Sequence, residues 1–282
     1  MNGAQWQAFS DFKTAFKAKT TQWQQQIEKN GLLEKLRDLQ RQAANRDGVP
    51  PYSLDTPIVY NRALDDVLPS DDIKIILIGD NPGKDEQLKA NRRYLVGQSG
   101  KIADGFFRKN PELEIDFRKN VLILNKTPLH TAKTKELSIL IKSGESAFAD
   151  IIRESQIWLA ENTVKLHGAL CSGGTEYGAG TNCSGKTAAG GAARYSADCS
   201  LWLVGYAELK ARGLFCEYKN VLNAAYGALG SSHSAAQNVF VYQHFSMNRF
   251  LIDLKERSRS NLSLTQNLRS VGIFHRNEIL GW

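Results

Sequence analysis

The apolar run Ile75-Ile76-Leu77-Ile78 stops abruptly at Gly79-Asp80-Asn81-Pro82-Gly83. A short run rich in β-branched residues reads as a buried strand. Pro82 fixes φ and lacks an N–H, and the flanking glycines permit a tight path, so the strand must end in a sharp loop. That loop carries one carboxylate and one carboxamide. In open α/β sheets ligands settle at the carboxyl ends of the strands, which makes Asp80 and Asn81 site candidates. The same residues are also ordinary turn formers, so the loop by itself leaves both readings open.

Three further runs have the same character: residues 121–124, 201–204 and 239–242. Between them the apolar period changes to that of helices. In 6–42, Trp6, Phe9, Phe12, Phe16 and Trp23 recur at helical spacing. Asn30-Gly31 interrupts, and Leu32, Leu33, Leu36 and Leu39 form a second stripe. Residues 101–109 and 134–167 read as helices, the second broken at Ser143-Gly144, and residues 249–256 as the final helix. Ile58-Val59-Tyr60 suggests one more short strand. This alternation predicts an α/β fold with a central, mostly parallel four-stranded sheet flanked by helices. Residues 1–50 form an N-terminal helical extension in this reading, and residues 51–282 the α/β domain. In a parallel sheet the loops at Asp80-Asn81, Asn125 and His244-Phe245-Ser246 share one edge, so residues far apart in sequence converge there.

Residues 171–200 depart from the pattern. They are rich in Gly, Ser, Thr and Ala, and read as a flexible insertion without a core of its own. Gly180 to Thr187 formally spells G-x-x-x-x-G-K-T. A working phosphate loop leaves a buried strand and opens a helix, and neither neighbour of this stretch has that character. Nucleotide binding therefore stands only as an alternative.

Lys and Arg exceed Asp and Glu by seven charges in 282 residues, which fits a polyanionic partner such as nucleic acid. No apolar run is long enough to span a bilayer, and residues 1–10 lack a signal-peptide pattern. A cytoplasmic monomer without membrane association is expected. The four cysteines, Cys171, Cys183, Cys199 and Cys216, form no C-x-x-C pair. Neither a metal nor an iron–sulfur cluster on them is expected.

Four motifs, in order between about residue 58 and residue 256, resemble those of the uracil-DNA glycosylase superfamily. Its first motif follows a strand and reads G-Q-D-P-Y, G-I-N-P-G or G-E-A-P-G in different branches, and Gly79-Asp80-Asn81-Pro82-Gly83 is similar. Lys84-Asp85-Glu86 continues as in the G-E-A-P-G branch. That branch then shows R-P-F-V-G-x-A-G-x-L, matched in spacing by Arg93-Tyr94-Leu95-Val96-Gly97-Gln98-Ser99-Gly100-Lys101-Ile102. The strand end Ile123-Leu124-Asn125-Lys126-Thr127-Pro128 resembles its I-T-N motif, and His244-Phe245-Ser246 echoes H-P-S. The stacking Phe falls on Leu95, with Tyr94 beside it in place of Pro, and Phe245 replaces the Pro of H-P-S. The two N-terminal cysteines of the iron–sulfur branch are absent, so no cofactor is carried over.

The resemblance implies a three-layer α/β sandwich that hydrolyses the N-glycosidic bond of uracil or a related deaminated base in DNA. A nucleic-acid-binding protein on the same fold with altered or lost catalysis is the alternative. The chemistry needs a base held outside the stack and an amide to read its edge, a task suited to Asn125. His244 suits the departing base, as a hydrogen-bond donor to its developing anion. Asp80 or Asn81 would hold water near the sugar, with Asn81 narrowly favoured. Gly79, Pro82, Gly83, Tyr94 and Leu95 would enclose the base. Ser99, Ser246, Asn248 and Arg249 would meet the DNA backbone, and Phe245 or Met247 would serve as an apolar wedge.

Overall fold

The computed structural model describes residues 1–171, 199–229 and 234–282. Its centre is a four-stranded parallel sheet of order β2-β1-β3-β4. The strands are β1 (Ile75–Gly79), β2 (Val121–Asn125), β3 (Ser200–Val204) and β4 (Val239–Tyr242). Every strand residue is buried, as expected of a parallel sheet covered on both faces. The helices in chain order are α1 (Gly3–Lys29), α2 (Leu33–Arg46), α3 (Gln98–Lys109), α4 (Leu137–Ile141) and α5 (Ser146–Cys171). They continue with α6 (Cys216–Leu229), α7 (Ser234–Gln237), α8 (Arg249–Arg257) and α9 (Leu264–Leu280).

The period of two along each strand divides the core into two layers. Ile76, Ile78, Leu122, Leu124, Leu201 and Leu203 face one cluster with Phe9 and Phe16 of α1, Leu36 of α2, and Ile151 and Leu159 of α5. Ile75, Leu77, Ile123, Trp202 and Phe240 face the other, with Phe106 and Phe107 of α3, Phe250 of α8, and Leu268 and Val271 of α9. Each such buried side chain contributes about 1.5–3 kcal/mol of transfer free energy. The result is a three-layer α/β sandwich. α9 lies close on β4 because it offers no side chain at Gly272, where a Cβ would come within 2.7 Å of the Tyr242 hydroxyl.

Several expectations need correction. Ile58-Val59-Tyr60 is not a strand: Ile58 makes a single antiparallel bridge to Leu129. The stretch 134–167 is helical and parts at Gly144 (φ +86°), at the expected Ser143-Gly144 break, into α4 and α5, but it begins as a 3-10 turn at Thr134–Glu136 rather than as α-helix. Residues 249–256 are not the final helix, since α9 follows. α6 was also unread. The proposed insertion at 171–200, including Cys183 and Gly180 to Thr187, lies almost wholly outside the described residues. Among the described residues, no helix is long and apolar enough to cross a membrane.

Candidate active site

At the carboxyl edge of the sheet lies a cavity of about 640 Å³. All three polar strand ends reach it: Gly79 at the end of β1 with Asp80, Asn81 and Gly83 after it, Asn125 at the end of β2, and His244 after β4. Leu95, Ser99, Ser246 and Arg249 also line it. Three predicted residues do not. Tyr94 is buried in the core and its hydroxyl donates to the Val59 carbonyl at 2.6 Å. The Pro82 carbonyl faces away, accepting from His130 Nδ1 at 2.8 Å. Asn248 stands outside the lining.

Parallel pairing sets Gly79 directly beside Asn125. A Cβ at position 79 would meet Asn125 Oδ1 at 2.4 Å, so any larger residue there would push this carboxamide from its place. Asn125 is buried, and among the described residues its Nδ2 has no hydrogen-bond partner. A buried donor without an acceptor costs about 1–3 kcal/mol, so an orphan in a cavity wall is an outlier that a ligand carbonyl would satisfy.

The two polar residues of the first loop differ. Asp80 Oδ1 receives the Lys126 ammonium at 2.6 Å, and Thr134 Oγ1 approaches Oδ2 at 3.4 Å. Gly205, with φ +85°, leaves room for that carboxylate: a Cβ there would lie 2.6 Å from Asp80 Oδ1. Asn81 is anchored through its nitrogen, which donates to Thr131 Oγ1 at 2.8 Å and to the Leu129 carbonyl at 3.3 Å. Among the described residues no donor reaches its Oδ1.

Behind this loop, His130 is fully buried. Its Nδ1–H donates to Pro82 and its Nε2 accepts from the Tyr52 hydroxyl at 2.9 Å. Burial pushes its imidazole down to about 4, so the ring is neutral at ordinary pH. The adjoining wall, Thr131 to Lys135, is tied to the end of α2. Gln40 Nε2 donates to the His130 carbonyl and Lys133 Nζ to the Asp47 carbonyl, both at 2.6 Å.

Glu86 joins two loops across the cavity floor. Its carboxylate accepts from the Gly83 N–H at 3.2 Å and the Leu95 N–H at 2.9 Å. Burial pushes this carboxyl up to about 7, opposed by those two N–H groups.

On the opposite wall the Ser246 backbone N–H donates to His244 Nδ1 at 3.0 Å. An Nδ1 that accepts leaves the proton of the neutral ring on Nε2. Burial holds the imidazole below its ordinary value, with Asp80 opposing and Lys126 assisting. Phe245 is fully buried, with its ring 4.6 Å from that of Phe250, and is unavailable as a wedge. Met247 is 70% exposed instead, and both Met247 and Asn248 take left-handed backbone, at φ +53° and +56°. Such residues store about 1–3 kcal/mol each, a strain that clusters at functional loops.

Lys126, Glu86 and Thr131 join the site without a signal in the sequence that marks them, and Gly205 joins it as well. Lys126 follows Asn125 directly, and a lysine in a loop ordinarily points to water. Gly205 follows an apolar strand, the same signal that marked Gly79. Among the described residues no group of three or more His, Cys, Asp or Glu side chains is placed to hold a metal ion. Comparison with known proteins finds no matching family model, curated protein or solved structure.

Proposed function

We propose that this protein is a DNA glycosylase that hydrolyses the N-glycosidic bond of uracil or a related deaminated base. The observation that carries the reading is the orphaned Asn125 Nδ2, buried in the wall of a cavity that His244 also lines. A flipped base brings a carbonyl to that donor, and one carboxamide both donates to and accepts from a base edge. Leu95 supplies an aliphatic wall for the ring. His244, neutral and protonated on Nε2, donates to the base oxygen on which charge develops as the glycosidic bond breaks. Asn81 presents Oδ1 to a water that adds to the sugar carbon, and the Asp80 carboxylate opposes the positive charge forming on the sugar. Met247 fills the space the base leaves in the stack. Arg249, Ser246 and Ser99 meet phosphates around the mouth.

A second reading, DNA binding without catalysis, draws on Leu95 in place of an aromatic stacking surface. A panel of oligonucleotides, each with one uracil, hypoxanthine or xanthine, separates the two. Release of free base from at least one supports the glycosylase. Tight binding with no release from any supports the binding protein.

A further inference from the structure

We propose that Lys126 is a positioning residue of this site: its buried ammonium ties the ends of three adjacent strands together and holds the Asp80 carboxylate in the cavity that His244 lines. Lys126 is fully buried. Its Nζ donates to Asp80 Oδ1 at 2.6 Å, to the Val204 carbonyl of β3 at 2.7 Å and to the Gly79 carbonyl of β1 at 3.3 Å. The residue itself leaves the end of β2, so one cation bridges β2, β1 and β3 across their carboxyl edge. The Phe215 ring lies 5.2 Å from the same nitrogen. An ammonium has three protons, and all three are directed to oxygen here.

A buried ion pair is seldom kept for stability alone, because an apolar pair of the same volume often does as well. Its placement gives it another use. Asp80 and His244 line one cavity, with the Lys126 ammonium 2.6 Å from the Asp80 carboxylate; the anion favours the charged form of the His244 imidazole and the cation its neutral form. The pair therefore sets a local balance of charge around the group assigned to the departing base. The other charged side chains lining the cavity are Glu86, Lys133, Lys135, Glu208 and Arg249. The assignment of His244 to the base rests on the glycosylase reading; the coupling of its titration to Lys126 and Asp80 does not.

The test follows the His244 imidazole by NMR titration in the full chain. Lys126→Met removes the cation and should move the His244 midpoint to higher pH by about half a pH unit or more. Asp80→Asn, which keeps an oxygen for Lys126, should move it to lower pH. Should Lys126→Met fail to fold, the neutral pair Asp80→Asn/Lys126→Met is compared with Asp80→Asn alone, and the added substitution should again raise the midpoint. A midpoint unmoved by these changes, or moved the same way by both partners, overturns the proposal. Single-turnover excision gives a separate arm: Lys126→Met should slow release about a hundredfold at unchanged duplex affinity. If the parent protein releases no base, the glycosylase reading fails while the titration still decides this one. If the parent releases base and His244 does not respond, only this proposal falls.

Discussion

The two walls of the cavity are built on opposite terms. The wall from β1 and β2 is locked: Asp80 is held by Lys126, Asn81 by Thr131, and the loop behind them by His130 and Glu86. The wall after β4 is open. It carries the exposed Met247, two residues in left-handed backbone and Arg249, which makes no ion pair among the described residues. A locked wall suits chemistry, because its dipoles need no rearrangement when charge develops. An open wall suits contact with a large partner. His244 belongs in chain order to the open wall, yet its ring is fixed by Ser246.

The division is broken most directly at Asn125. Asn125→Asp turns a donor into an acceptor-only group, and single-turnover excision of uracil should fall about a thousandfold with the melting curve retained. Parent-rate excision would reduce Asn125 to a strand-end cap. Within the locked wall, Asp80→Ala should cost about 3 kcal/mol in denaturant unfolding, since it leaves Lys126 buried without its anion. Asn81→Ala should spare stability and slow single-turnover chemistry. The reverse pattern would exchange the two roles.

His244→Ala should lower the single-turnover rate about a hundredfold and leave duplex affinity nearly intact. If it weakens binding alone, His244 belongs with the contact surface. Glu86 offers a pH test of the locking. Its carboxyl, pushed up to about 7 from 4.5, holds its proton more tightly in the folded protein than in the unfolded chain. Its contribution to stability is therefore full below pH 4.5 and lost as pH rises through about 7. Unfolding measured across that window should show a slope of up to about 1.4 kcal/mol per pH unit that Glu86→Gln removes. The smallest effect belongs to the rim. Arg249→Ala should weaken duplex binding about fivefold and reduce the salt slope by about one, with the bound-state rate unchanged.

The four strands were legible because each is an apolar run cut by turn residues, and the convergence of their polar ends followed from parallel pairing. α9 escaped notice because its buried face includes polar residues: Asn267 binds the Arg259 backbone, and His275 pairs with Asp253 at 2.8 Å. Its capping box, Ser263 with Gln266, was the signal available. α6 carries buried Tyr218, Leu222 and Tyr226 at a spacing of four, a stripe hidden by the hydroxyls of its tyrosines. At the site, Asn125 and His244 were readable as polar groups at strand ends. Lys126 was not, because its burial depends on carbonyls and a carboxylate 46 to 78 residues away in sequence. Tyr94 could be read as wall or core, and the Val59 carbonyl that decides between them is 35 residues distant.

The order of the strands gives the sheet a seam. Residues 1–171 supply β1 and β2, residues 199–282 supply β3 and β4, and within the sheet the two strand pairs meet where β1 pairs with β3. The cavity straddles that junction, with Asn125 and Asp80 on one bank and Gly205 and His244 on the other. Lys126 reaches across it to Val204. Any parting of the β1–β3 pairing would draw Asn125 and Asp80 away from Gly205 and His244 in a single motion. Under the proposed function, reactivity at this edge would therefore require both lengths of chain to be in place at once.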